Sequence, residues 1–317
     1  MISITHHTGQ EMQMPNYNDI EKEIIKKKQL AQDEVRHFYM SKLANYTKCD
    51  VISYIACTTR LPNQAYQYIG INSEDITSLM TALSGLKTKD KNLILIIHSL
   101  GGSLEATEQI VSYLRSKYNK ITAIIPQMAM SAATLLACAC DEIIMGKQSA
   151  IGPIDPQYNG IPAQAILQEF KKASEDIAKN PGTIPLWLEK MRTLPVGMIT
   201  MCEESSILSK KKAEDWLSSY MFRGEIKATE KAEKIAKWLG DFKNHKTHSH
   251  PISMTEAISK GLKIKALEDD QTLQDLVLSI FHAAMITFST TPYIKIIENH
   301  NGVGRYLGFN ISAVKNK

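Results

Sequence analysis

The 317-residue sequence has few features that would direct the chain into or through a membrane. Its first residues lack a positively charged segment followed by an apolar stretch, so no secretory signal is visible. The five cysteines are odd in number and lack zinc-binding spacing, and Cys138 and Cys140 lie within an apolar run where buried thiols are ordinary. We therefore expect a cytoplasmic protein without a membrane anchor.

The sequence also lacks a strong excess of one charge. Its 37 basic and 33 acidic residues give a net charge of +4 with no long block of one sign, so nothing requires nucleic acid as a partner. A phosphate-binding loop, a dinucleotide fingerprint, internal repeats and low-complexity tracts are absent as well. The 44% hydrophobic composition is sufficient for a full core.

A block of alternating strands and helices occupies the middle of the chain. The apolar runs Leu93 to Ser99, Lys120 to Pro126 and Glu142 to Met145 are typical of strands buried on both faces of a parallel sheet. Helices are predicted between them, over Ser103 to Tyr118 and Ser131 to Ala139. This β-α-β-α-β alternation predicts an α/β fold with right-handed crossovers.

The flanking regions divide the chain into three parts. Residues 18–47 have the pattern of one charged amphipathic helix that lies over the core or a partner. After residue 163 the pattern is strongly helical, and Ser253 with Glu256 forms a capping box near the end of the core region. A helix over Gln271 to Ile286 and a loop-rich tail are expected to follow. The predicted parts are an N-terminal helical extension (1–47), a main domain (48–267) with a helical insertion at about 163–245, and a C-terminal helix and tail (268–317).

Two features at the ends of successive strands could carry chemistry, because sites in open α/β sheets gather there. Gly101 and Gly102 precede a helix, where free amides suit an oxyanion hole, although a tight strand-to-helix turn explains the pair equally. Ser131 begins the next helix and could act as a nucleophile or as a simple N-cap. His248 and His250 have the i, i+2 spacing of some metal sites, but no adjacent cysteine or carboxylate, so we expect no metal.

Four segments of the chain carry a resemblance to a known family: HSLGGSLEATEQI (His98 to Ile110), PQMAMSAATLLACACDEIIMG (Pro126 to Gly146), SAIGPIDPQYNGIPAQAIL (Ser149 to Leu167) and HPISMTEAISKGLKI (His250 to Ile264). They resemble the Clp protease, crotonase and signal peptide peptidase A superfamily, and within it the serine dehydrogenase proteinase family. The resemblance spans roughly residues 50–267, and the GPIDPQ stretch is its most distinctive part. It implies a Clp protease/crotonase-like fold of repeated β-β-α units with a parallel sheet, plus an N-terminal helix and a helical insertion.

The resemblance implies a serine peptidase site with Ser131 as nucleophile and the amides near Gly101 and Gly102 as the oxyanion hole. Clp-type enzymes use a histidine base, but no histidine lies between His98 and His245, where it would be expected. We therefore expect a serine-lysine dyad, whose lysine must be neutral through burial. Lys172 is our choice, because its distance from the GPIDPQ stretch fits the lysine of related peptidases. The other candidates are Lys171, Lys179, Lys190 and Lys210 to Lys212.

Two departures from the family pattern adjoin these residues. Leu100 stands where relatives usually have proline, and Ala132 and Ala133 stand where a glycine usually follows the nucleophile. Asp155 in GPIDP could orient a base, although we favour a role in anchoring its proline-rich turn.

We predict a serine protease that hydrolyses extended peptides or proteins without a cofactor and assembles as a homo-oligomer. Two alternatives stay open at this point. One is a catalytically silent scaffold that binds a peptide or a partner protein. The other is acyl-CoA chemistry of the crotonase type, against which no paired carboxylates flank the proposed oxyanion hole.

Overall fold

The computed structural model describes residues 17–27, 31–59, 61, 65–86 and 91–309. The strands are β1 (Asp50–Ala56), β2 (Asn92–His98), β3 (Lys120–Ile125), β4 (Met128–Ala129), β5 (Glu142–Met145), β6 (Ala150–Ile151), β7 (Gln157–Tyr158), β8 (Ile161–Pro162), β9 (Ile252–Ser253), β10 (Ile264–Ala266), β11 (Tyr293–Asn299) and β12 (Gly304–Gly308). The helices are α1 (Tyr17–Lys27), α2 (Ala31–Thr47), α3 (Tyr66–Ile69), α4 (Glu74–Ala82), α5 (Leu104–Lys117), α6 (Ala132–Cys138), α7 (Ala163–Lys179), α8 (Ile184–Met191), α9 (Met198–Trp216), α10 (Ala228–Leu239), α11 (Phe242–His245), α12 (Met254–Ser259) and α13 (Gln271–Thr290). Short 3₁₀ turns at Pro181–Thr183 and Leu267–Asp269 and a π turn at Leu217–Met221 complete the described elements.

A seven-stranded sheet in the order β10-β5-β3-β2-β1-β11-β12 forms the centre of the molecule. Its first five strands are parallel, and β11 and β12 are antiparallel to their neighbours. β1, β2 and β3 are buried along nearly their whole length because helices cover both faces of the sheet. The predicted α/β class with a mostly parallel sheet is confirmed.

The two faces of the sheet have separate hydrophobic cores. Alternate side chains of β2 show the division: Leu93, Leu95 and Ile97 pack with α5 and α6, and with α9 and α10 of the helical insertion. Ile94 and Ile96 point to the other face, where they pack with α2 and α13. Gly101, Gly102 and Ser131, which lie at the starts of α5 and α6, are therefore on the face of the sheet that these two helices cover.

The N-terminal part of the chain is fastened to the sheet by a buried ion pair. It forms two helices, α1 and α2, where one continuous helix was predicted. The guanidinium of Arg36 on α2 pairs with the carboxylate of Glu298 on β11, and both side chains are fully buried. His37 Nε2 and the hydroxyl of Tyr306 each lie 2.7 Å from the same carboxylate and hydrogen-bond to it. α2 thus covers the core of its own chain.

The predicted loop-rich tail is wrong, because most of it forms a β-hairpin in the main sheet. β11 pairs with β1, and β12 pairs with β11 around a turn at His300 to Val303. Gly302 adopts a φ of +78° in this turn, a conformation that favours glycine. The apolar run of Ile294, Ile296 and Ile297 and the Asn301-Gly302 pair are the sequence signals that predict such a hairpin.

α13 is, among the described residues, the one helix long and apolar enough to cross a membrane. Most of its apolar surface is buried, because it packs along α2 and contacts β11. Ala283, Ala284 and Ile280 are fully buried in these contacts. Its length and composition are therefore those of a central helix of the fold.

The Glu298→Gln variant should be less stable than the wild type by about 3–5 kcal/mol, because it leaves the buried charge of Arg36 without its partner. Urea denaturation measures this difference. The matched control is Glu175→Gln, which removes an exposed partner 4.0 Å from Lys171 and should change stability by less than about 0.5 kcal/mol. If Glu298→Gln lost less stability than Glu175→Gln, the buried ion pair would not be what fastens α2 to the sheet.

The stability difference between the wild type and Glu298→Gln should depend on pH. Burial alone would raise the pKa of Glu298, but the charge of Arg36 and hydrogen bonds from His37 and Arg36 outweigh it and lower the pKa from 4.5 to about 2. The stability that this group contributes is present above pH 4.5 and is lost as the pH falls towards 2. The stability difference between wild type and Glu298→Gln should therefore narrow across that interval.

Candidate active site

A small three-stranded sheet in the order β4-β6-β9 gathers the candidate residues at one edge. β4 and β6 are parallel, so their carboxyl ends meet at the same edge, where Ser131 follows β4 and Asp155 follows β6. β9 is antiparallel to β6, which places the segment before β9, with His248, at that edge as well. Three segments far apart in the sequence thus converge.

Ser131 has a strained backbone. Its φ of +52° and ψ of −120° are unusual for a residue with a side chain and cost about 1–3 kcal/mol. It stands at the N-cap position of α6, but its side chain makes no cap hydrogen bond. The hydroxyl is half-buried and is not used to hold the helix. The simple N-cap role that the sequence allowed is therefore not the one observed.

Gly101 packs directly against the backbone of Ser131. A Cβ at Gly101 would lie 2.7 Å from the Ser131 Cβ and 2.6 Å from the carbonyl oxygen of Met130. Two hydrogen bonds hold the segments together: the Ser99 amide donates to Met128 O at 3.1 Å, and the Met130 amide donates to Ser99 O at 2.9 Å. Glycine is required here by close approach, in addition to its φ of +99°.

The amide of Gly102 is an open donor beside Ser131. Gly102 forms a parallel bridge with Ile71. In this bridge the Ile71 amide donates to the Gly101 carbonyl oxygen, and the Ile71 carbonyl oxygen accepts from the Ser103 amide. The N–H of Gly102 itself points away from Ile71, because successive amides of an extended chain face opposite sides. Gly102 is exposed, and within the described part of the chain its amide has no acceptor.

The two glycines of the predicted oxyanion hole therefore differ. The Gly101 amide already donates to Ser99 Oγ at 3.1 Å, so only the Gly102 amide is available to a ligand. The sequence analysis missed a second donor, the amide of Ala132, which has no acceptor among the described residues. It could have been found from the rule that the first amides of a helix lack intrahelical partners.

Asp155 and His248 form a hydrogen-bonded pair, with Nδ1 of the imidazole 2.9 Å from the carboxylate oxygen Oδ1. Asp155 is 1% exposed. Its second oxygen is buried with no hydrogen-bond partner among the described residues. Because Nδ1–H donates to Asp155, the Nε2 atom of His248 is left as an acceptor, which is the form a general base needs.

The loop that carries Asp155 is tied to the helix that carries Ser131. The Gly152 amide donates to Thr134 Oγ1 on α6 at 3.0 Å, and that hydroxyl donates to the Gly152 carbonyl oxygen at 2.9 Å. Farther along the loop, the Ile154 amide donates to Leu239 O at 3.0 Å. Ser209 Oγ donates to Ile154 O at 2.6 Å. These bonds hold the carboxylate in place against three different helices.

Lys172 lies on an exposed face of α7, a helix that packs on α9 and β8. An exposed ammonium keeps its hydration, so Lys172 lacks the burial that the serine-lysine hypothesis requires. Lys171, Lys179, Lys190 and Lys211 are exposed as well, and Lys212 pairs with Glu108. Lys210 is half-buried, with the stem of its side chain against Gly240. The assignment of Lys172 stays a prediction that its position does not favour.

His98 belongs to the other side of the sheet. It ends β2 with its ring against Phe281 of α13, at a centroid distance of 4.9 Å. Burial lowers its pKa to about 4, so the ring is neutral. The histidine beside the glycine pair in sequence therefore does not share the face of Ser131, whereas His248, over a hundred positions beyond Ser131, shares its edge.

The family model described as ClpP-like SDH-type serine proteinase matches residues 20–186, which is more than half of the chain. This match confirms the resemblance predicted from the sequence. The matched range includes Gly101, Gly102, Ser131 and Asp155 and ends before His248.

Two similar proteins come from Methanocaldococcus jannaschii, and both are described as uncharacterized. One is 31% identical over 203 residues, which cover 63% of this chain and 60% of the relative. The other is 30% identical over 215 residues, covering 67% of this chain and 66% of the relative. The chain thus spans less than two thirds of each relative's length.

Gly101→Ala should destabilise the protein by about 3 kcal/mol or more, because a left-handed φ and a backbone collision act together. The control is Gly197→Ala, at a φ of +84° with no atom within 4 Å of the added Cβ. It should cost only about 1–2 kcal/mol. Urea denaturation compares the two, and equal losses would show that the contact with Ser131 is not tight.

Proposed function

Because the chain belongs to the family of ClpP-like SDH-type serine proteinases, we propose that it cleaves peptide bonds through an acyl-enzyme intermediate on Ser131. The observation that carries the proposal is the hydrogen bond between Asp155 and His248 at the edge of the sheet that also holds Ser131. It supplies an oriented imidazole, the base that the sequence analysis did not find.

In the proposed reaction, His248 Nε2 takes the hydroxyl proton as Ser131 Oγ attacks the peptide carbonyl carbon. The amides of Gly102 and Ala132 stabilise the oxyanion that forms on the carbonyl oxygen. His248 then gives the proton to the departing amine, and water attacks the remaining ester by the same route in reverse. Asp155 accepts the hydrogen bond from Nδ1 throughout and keeps the imidazole in the tautomer that accepts at Nε2.

The substrate class that fits is an extended peptide. One side of the segment around Gly102 is occupied by Ile71, and the other side is open to solvent. A peptide added there would bond to backbone groups, which holds a chain with little side-chain selectivity. The exposed side chain of Leu100 adjoins this position and would contact the substrate.

A fluorophosphonate probe should label the wild type at Ser131, and Ser131→Ala should abolish labelling. His248→Ala and Asp155→Asn should each slow labelling by about 10²–10⁴-fold, because the first removes the base and the second releases its tautomer. Gel fluorescence over time gives the rates, and the matched control Lys172→Met should keep the wild-type rate.

Other outcomes of this experiment distinguish the alternatives. If Lys172→Met lost labelling and His248→Ala kept the wild-type rate, the serine-lysine hypothesis would be favoured over the histidine base. A wild type that does not react at all would favour a silent scaffold that binds peptides. Circular dichroism of each variant separates loss of chemistry from loss of fold.

We also propose a homo-oligomer, supported by exposed apolar side chains on the helical insertion. Leu186 and Leu188 on α8 are 65% and 59% exposed, and Met201 and Ile207 on α9 are 56% and 60% exposed. Such a concentration of large apolar side chains marks an interaction surface more often than a solvated one. The sequence analysis offered the N-terminal helix as a contact, but α2 packs on α13.

The double variant Leu186→Glu, Leu188→Glu should dissociate this assembly, because two charges in an apolar contact are costly to bury. Light scattering after gel filtration should report a lower mass for this variant. The control is Met80→Glu, which changes a side chain of similar exposure, 55%, on α4. An unchanged mass in the double variant would exclude this surface as the contact.

The cysteines support a further proposal, that the protein works in a reducing compartment such as the cytoplasm. All five are free thiols, and Cys57, Cys138, Cys140 and Cys202 are buried. Burial raises the pKa of Cys138 and Cys140 to about 12, so these two thiols are inert as nucleophiles. Neither thiol is therefore a rival to Ser131.

A further inference from the structure

Three possible metal ligands come together next to the segment that carries His248. They are His245 at the end of α11, His250 before β9 and Glu256 in the first turn of α12. One donor atom from each lies within 4.8 Å of the donors of the other two. Along the chain these residues are separated by five and six positions, so they form no recognisable metal-binding motif.

His245 is already oriented as a metal ligand would be. It is 3% exposed, and its Nε2–H donates to the carbonyl oxygen of Trp238 at 2.8 Å. That bond leaves Nδ1 of the neutral ring with a free lone pair. Histidine ligands of metals almost always donate their second N–H to a carbonyl or carboxylate in this way, which fixes the ring and its tautomer.

His250 and Glu256 leave the cluster open to solvent. The imidazole Nε2 of His250 lies 3.7 Å from the carboxylate Oε2 of Glu256, and both side chains are 36% exposed. The ring of His250 is tilted against that of His245, with centroids 5.5 Å apart. The Glu256 backbone is held by the Ser253 cap, at 3.2 Å from its amide to the serine hydroxyl. An ion can therefore enter, and the side chains have room to adjust.

We propose that His245, His250 and Glu256 bind one zinc ion. Two imidazoles and one carboxylate suit Zn²⁺, at about 2.0–2.2 Å from each donor, with water in a fourth position. Donors at that distance are about 3.4 Å apart in a tetrahedron, so His250 and Glu256 must rotate towards His245. This proposal replaces the expectation of no metal, which considered only the pair His248 and His250. In the structure, His248 hydrogen-bonds to Asp155, whereas the ring of His250 packs against the ring of His245.

A bound ion would also act on the segment between its ligands. It would link α11 to α12 across residues 246–253, and so hold the segment that includes His248. This consequence for the base depends on the proposed function, whereas zinc binding itself does not.

Calorimetric titration of the chain, without a histidine tag and after treatment with a chelator, tests the site directly. Zn²⁺ should bind at one ion per chain, and His250→Ala and Glu256→Gln should each weaken binding by at least about 10–100-fold. The matched controls His300→Ala and Glu233→Gln should bind as the wild type does. Co²⁺ in place of Zn²⁺ should develop visible absorption in the wild type and lose it in both ligand variants.

Two results would overturn the proposal: a wild type that takes up no stoichiometric Zn²⁺, or binding that persists unchanged in both ligand variants. The test does not require His245→Ala, a variant that would leave a cavity at a buried position and could lower stability. Binding should be retained in Ser131→Ala, which separates the metal site from the proposed hydrolysis. Hydrogen exchange of residues 243–253 should slow with zinc in the wild type and not in His250→Ala.

Discussion

The close approach of residues 99–102 to residues 128–132 is the constraint on which the site depends. Backbone hydrogen bonds between Ser99 and the segment Met128 to Met130 extend the pairing of the parallel sheet beyond its regular strands. The missing Cβ of Gly101 lets the second segment come into contact, and Ser131 then turns into α6 through a left-handed φ. The same segments carry the amides of Gly102 and Ala132, which have no acceptor among the described residues.

A second set of contacts holds Asp155 and His248 at the edge of the small sheet where Ser131 lies. The GPIDP loop is bonded to Thr134 of α6 and Ser209 of α9, so the buried carboxylate of Asp155 is held from several sides. A buried carboxylate is costly unless it is paired, and His248 provides the pairing. The helical insertion supports both residues of this pair, because Leu239 at the end of α10 accepts from the Ile154 amide and α11 leads into the segment with His248. The insertion is thus part of the site's framework as well as a surface feature.

Much of the fold could be predicted from local patterns. Buried parallel strands such as β2 and β3 are continuous apolar runs. Ser253 caps the helix α12, as its spacing from Glu256 indicated. The hairpin of β11 and β12 was missed, although its signals are present, because a turn-rich segment after a long helix was read as a tail. The pairing of His248 with Asp155, on which the proposed base depends, was missed for a different reason. The order Ser131, Asp155, His248 departs from the interval in which a histidine was expected, and no local pattern marks His248 as a partner of Asp155.

The sequence by itself determined the strand and helix pattern, the position of Ser131 at a strand-helix junction and the glycine pair before α5, because these follow from local hydrophobic periodicity and backbone freedom. Only the tertiary structure decided which side chains share the edge with Ser131. That choice depends on the pairing of β6 with β9, two strands of two residues each, separated by the whole helical insertion. Such short strands have little preference of their own, so their pairing is set by the packing of the helices between them. The same packing leaves Lys172 in solvent and brings His248 to Asp155.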